Sequence, residues 1–165
     1  MFSHIMVGSN DIARSRKFYD AVFAAMGGKA GTEDAKGRLI YVHNGGRFMV
    51  SKPIDGKPAT RANGGTIGFT MSESKQVDAW HKAGVANGGT TAEDPPGVRQ
   101  AAVGPLYLAY LRDPDGNKLC AVHRMPAALT EAACARSGHR LCAIEACSAR
   151  AKPEQMESSP SPSFG

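Results

Sequence analysis

The sequence predicts an α+β fold made of two tandem βαβββ modules, with a C-terminal tail foreign to both. Three observations point there. A pattern of strand, capping residues, helix and Gly-Gly opens the chain, and it recurs roughly sixty residues later. A linker without apolar period separates the two copies, and the composition changes abruptly after Met125. Residues 1–124 are therefore read as the domain, with modules at about 1–53 and 64–124, and residues 125–165 as the tail.

Phe2–Gly8 is short, apolar and partly β-branched, which predicts a strand. Ser9, Asn10 and Asp11 can cap the helix that follows, because their short side chains accept from free backbone N–H groups. Residues 12–26 place Phe18, Tyr19, Val22, Phe23 and Met26 on one stripe, and Gly27-Gly28 stops the helix. Strands are predicted at Arg38–His43 and Arg47–Ser51, around a turn at Asn44-Gly45-Gly46. Residues 52–64 are rich in Pro, Gly, Lys and Asp and form the linker.

The second copy begins with a strand at Thr66–Met71 and continues with a helix at 74–86 carrying Val77, Trp80 and Val85. Gly88-Gly89 ends it. With His4 set against Thr66, the two Gly pairs begin 23 and 22 residues on. Glu93–Pro96 is read as a loop, Leu106–Arg112 as a strand, Asp113-Pro114-Asp115-Gly116 as a turn, and Lys118–His123 as the closing strand.

Strand alternation sorts side chains by face. Ile5 and Val7 oppose His4, Met6 and Gly8, while Ile67, Phe69 and Met71 oppose Thr66, Gly68 and Thr70. The bulkier rows belong under the helices, and the smaller, more polar rows suit a cavity. The same logic puts Cys120 on the cavity side with His4 and Thr66. Tyr107 and Tyr110 have opposite parity, so one of them can join it. Tyr41 and His43 share a face, with His43 expected to be exposed, and Asp113 and Asp115 are read as turn formers.

Composition narrows the partners. The net charge of +5 arises from residues 1–124, where sixteen basic groups stand against eleven acidic ones in scattered positions. No basic run or aromatic-studded strand accompanies it, so no nucleic acid is expected. No stretch is apolar enough to span a membrane and no leader is evident, so no membrane partner and a cytoplasmic location are expected. Cys134, His139, Cys142 and Cys147 fall in the Ala-rich tail without CxxC spacing, which makes them a poor zinc motif.

The segments MFSHIMVGSNDIARSRKFYDAVF, GGTIGFTMSESKQVDAWHKAGVANGG and LYLAYLRDPDGNKLCAVH resemble the vicinal-oxygen-chelate superfamily of glyoxalases, bleomycin-resistance proteins and extradiol dioxygenases. That resemblance implies a cupped mixed sheet formed by the two modules, a homodimer, and a small-molecule ligand in the cup. It also implies divalent-metal ligands at four strand positions. Here those positions carry His4, Thr66, an apolar residue near Phe48 or Met49, and Cys120. One imidazole and one thiol make a poor site for a hard cation, so no cofactor is assigned and a divalent metal is disfavoured. The resulting reading is a glyoxalase-like protein acting on or binding a small oxygenated organic molecule. Its alternative is a non-catalytic, resistance-type sequestering protein. The residues leave enzyme status open, with a lyase or dioxygenase implied if there is one. The candidate catalytic pair is His4 and Cys120, His4 being also the one metal ligand. Met6, Thr66, Thr70, Tyr107 and Tyr110 are candidate substrate-binding residues.

Overall fold

Two four-stranded mixed sheets, each with one helix, account for residues 2–126, the part of the chain that the computed structural model describes. The tail cysteines and His139 lie outside it. In the first module β1 (Ile5–Gly8) leads into α1 (Ile12–Ala25), then β2 (Thr32–Glu33), β3 (Leu39–His43) and β4 (Gly46–Ser51). The second runs β5 (Ile67–Thr70), α2 (Ser74–Ala86), β6 (Thr90–Ala101), β7 (Gly104–Arg112) and β8 (Lys118–Arg124). The strand orders are β1-β4-β3-β2 and β5-β8-β7-β6, so the duplication holds in topology as well as in sequence.

The helices form where capping and periodicity direct them. Asp11 caps α1 by accepting from the Arg14 N–H at 3.0 Å. Its stripe of Phe18, Tyr19, Val22 and Phe23 is buried, each side chain contributing roughly 1.5–3 kcal/mol of apolar transfer. In α2, Val77 and Trp80 are buried, and Gly84 replaces the next large residue of the stripe. A Cβ there would lie 2.3 Å from Leu111 Cδ1 and 3.3 Å from Phe18 and Val22, so Gly84 lets α2 approach both its own sheet and α1. One apolar cluster consequently joins both modules, from Phe18, Tyr41 and Val50 to Trp80, Leu111 and Leu119.

Several boundaries differ from expectation. The first strand starts at Ile5, leaving His4 just ahead of it, and Thr66 stands likewise just ahead of β5. The two-residue strand β2 carries no apolar period, which is why the sequence does not announce it. Glu93–Pro96 is a bulge inside β6, where the register with β7 shifts between Ala92 and Gly97. Pro95 and Pro96 are tolerated because β6 is an edge strand, whose outer side has no ladder to lose. The β3–β4 hairpin turns on Asn44 and Gly45, both with positive φ (46° and 76°), the geometry of a tight two-residue turn.

Candidate functional site

The parallel ladders align the modules residue for residue. Met6 lies beside Met49 in the first and Gly68 beside Cys120 in the second. Val7, Phe48, Val50, Leu119 and Ala121 belong to the shared core, whereas Met49 and Cys120 are buried outside it, on the opposite, outer faces of their sheets. The alternation argument thus holds for Cys120, which has Thr70 for company on that face.

Cys120 is 5% exposed, and its Sγ lies 3.6 Å from the Ala121 carbonyl oxygen. Tyr110 is its cross-strand neighbour on β7. Lys118 Nζ stands 4.9 Å from the centre of the Tyr110 ring and forms an ion pair with Glu93. Burial pushes the Cys120 thiol up, Glu93 adds to the effect, and Tyr110 and Lys118 oppose it. The Tyr110 phenol is pushed up to about 12, first by burial and then by Cys120. Both groups therefore stay protonated at neutral pH. A protonated thiol is a weak nucleophile and a weak metal ligand.

The remaining candidates separate. Tyr107 points the other way from Tyr110 and donates to Asp78 Oδ1 of α2 at 3.0 Å, so it stands apart from the outer face. His4 is exposed, with Nδ1 2.9 Å from Ser3 Oγ. It precedes β1 in one sheet while Cys120 sits on β8 of the other, and no hydrogen bond joins the two. Met6 is 43% exposed on the outer face of the first sheet, and Thr66 is exposed at the entry to β5. Among the described residues no three His, Cys, Asp or Glu side chains cluster in a way that could hold a metal ion. The donor chemistry disagrees with the family's cation independently of that. Met49 and Cys120 occupy the matching closing-strand positions, and neither supplies the oxygen that a hard ion requires.

Two features of the structure escape sequence reasoning. Glu93 adopts φ 62°, an uncommon conformation for a residue with a Cβ, in the bulge whose side chain reaches Lys118. The Asp-Pro-Pro run that follows it signals irregularity but not that partner. The second feature is the turn after β7. Asp113 is 4% exposed and accepts from the Tyr19 hydroxyl at 2.6 Å, from Asn117 Nδ2 at 2.8 Å, and from the Asp115 and Asn117 backbone N–H groups. Asp115 accepts from Asn10, Arg14 and Ser15. These aspartates do form the turn, and they also fasten the second module to the start of α1.

An apolar cavity lies elsewhere among the described residues. It holds about 210 Å³ between the end of α1, the β3–β4 hairpin and the free edge of β5. No helix among the described residues is long and apolar enough to cross a membrane.

Comparison with known proteins places this architecture. The chain shares 56% identity with a glyoxalase/bleomycin resistance protein from Albidiferax ferrireducens T118, at a TM-score of 0.73, over 75% of this chain and 99% of that one. A glyoxalase-related enzyme from Fulvimarina pelagi matches at 20% identity and a TM-score of 0.57, over 75% and 88% of the two chains. A lactoylglutathione lyase from Agrobacterium tumefaciens matches at 19% and 0.51, over 74% and 92%. The last two likenesses concern the fold alone. No curated protein sequence gives a significant match. The model of the Glyoxalase/Bleomycin resistance protein/Dioxygenase superfamily matches residues 1–121, which span both modules and the closing strand, and the chain belongs to that superfamily.

Proposed function

We propose that the protein binds a small oxygenated organic molecule on the outer, concave side of its sheets through hydrogen bonds and one ion pair, without a chelated metal. The observation that carries this reading is the group at Cys120. Where the resemblance calls for a metal-binding carboxylate, a buried thiol lies among Tyr110, Lys118 and Glu93. A phenol and an ammonium can donate to ligand oxygens, and Glu93 can accept from a hydroxyl. Sequestration is favoured over thiol chemistry, because burial raises the Cys120 thiol and His4 pairs with Ser3 instead.

A homodimer through residues 1–124 accompanies this reading. β1 and β5 are free sheet edges, and Met6 and Val42 expose apolar surface on the first sheet. A second copy laid there would complete the cup. Light scattering at micromolar concentration tests the dimer, and a monomer removes it.

The function is tested by metal analysis together with a screen of hydroxylated and carbonyl-bearing small molecules. Substoichiometric divalent metal is expected, with ligand shifts that weaken on Lys118→Met. Near one equivalent of zinc, nickel or iron per chain, lost with His4→Ala, overturns the reading.

A further inference from the structure

The cavity beside β5 meets the outer face at Gly68 and Thr70, but the rest of its lining is different in chemistry. One wall is aromatic and apolar. Phe23 and Phe48 come from the first module and Phe69 from the second, with ring centroids 5.6–6.0 Å apart, and Met26 lines the cavity with them. At the hairpin side His43, Asn44 and Arg47 line the same space, and no acidic residue among the described ones does. His43 is half-buried, with its ring packed toward Gly28.

Arg14, Arg16, Arg38 and Arg99 each reach a carboxylate, and Arg112 reaches the Gly116 carbonyl. Arg47, like Arg61 and Arg124, makes no hydrogen bond or ion pair with another described residue, but of these three only Arg47 lines the slot, and the His43 ring beside it is likewise without a partner among the described residues. A planar guanidinium presents paired donors that match a carboxylate. Here it stands at the mouth of an apolar slot without an internal anion. The slot is below the usual size for a drug-like ligand, which limits an occupant to roughly ten non-hydrogen atoms.

We infer that this crevice is a second ligand site, taking a small monocarboxylate with an aromatic or branched apolar body, its ring against Phe23, Phe48 and Phe69 and its carboxylate on Arg47 and His43. The site goes beyond the outer-face reading and does not depend on it.

The test is an NMR titration of the full chain with benzoate and, separately, with benzamide, which keeps the ring and lacks the charge. Benzoate is expected to shift the amides of Asn44, Gly46 and Phe69 and to bind roughly tenfold tighter than benzamide, a difference of about 1.4 kcal/mol. Arg47→Met, a change at an exposed position, should erase that preference, and Arg47→Lys should keep part of it. Equal affinity for the two probes overturns the proposal, as does benzoate binding unchanged by Arg47→Met. Shifts confined to Tyr110, Lys118 and Cys120 also overturn it, and would leave the outer-face reading standing.

Discussion

The two modules share a topology and differ in what they present. The outer face of the first is largely apolar, with Met6, Val42 and Met49 and a single arginine, Arg47, opposite Val42, whereas the corresponding face of the second carries Gly68, Thr70, Tyr110, Lys118 and Cys120. Their hairpin turns differ as sharply. The Asn44-Gly45 turn is local and solvated, while the Asp113–Asn117 turn is half-buried around a buried Asp113 and bonded to α1 and β1 of the other module. A duplicated backbone therefore does not duplicate roles. One copy supplies surface for covering, and the other supplies polar chemistry and the bond between modules.

The largest effect should come from breaking the inter-module turn. Asp113→Ala strands the Tyr19 hydroxyl and Asn117 in the interior and should cost about 3 kcal/mol or more, with Tyr19→Phe costing roughly 1–3 kcal/mol. Asn44→Ala, in the local turn, should cost about 1–2 kcal/mol, since the left-handed strain is its main term. Denaturant melts of the three variants check this, and equal losses at the two turns would dissolve the contrast.

Acid should weaken the same junction. Burial alone would raise the Asp115 carboxyl, but hydrogen bonds from Asn10 and the Ser9–Ser15 hydroxyls, with the charge of Arg14, outweigh it and hold the carboxyl below its ordinary 3.8. A carboxyl lowered on folding contributes stability that is complete above the unfolded value and lost as pH falls through the folded one. Stability should thus decline below about pH 4, and Asp115→Asn should flatten that decline. An unchanged slope in the variant would show that the acid response lies elsewhere.

A smaller effect separates the buried positions Met49 and Cys120. Because burial raises its thiol, Cys120 should react with a thiol reagent at least roughly tenfold slower in the native protein at neutral pH than in denaturant. Peptide mapping after timed alkylation distinguishes it from the tail cysteines, and rapid native labelling would restore the nucleophile reading. Least of all should follow from truncation after Ala127, where the compact unit ends. A melt in reducing buffer should differ from the full chain by less than about 2 kcal/mol, a large loss by the standard of ordinary domain stability.

Much of the fold was legible because its signals are local. Asp11, the Phe18–Phe23 stripe and Gly27 mark the first helix within one stretch of chain, and alternation assigned Cys120 to the outer face. That His4 and Cys120, paired in the sequence reading, belong to different sheets with no hydrogen bond between them was not legible. Face is a property of one strand, but proximity depends on which sheet each strand joins. β2 and the β6 bulge were missed for a related reason, since two polar residues and a proline pair carry no period.

The sequence by itself determined the duplicated modules, the helices with their stops, and the face on which each strand residue lies. All of these follow from backbone geometry repeating every two or 3.6 residues. Only the tertiary structure decided that Tyr19 meets Asp113 across 94 positions, that Glu93 reaches Lys118, and that three phenylalanines enclose a slot beside Arg47. Those partnerships depend on how α1 packs on α2 and on which strands are left at the edges. That packing is chosen by burial of the whole apolar surface, and no single segment encodes it.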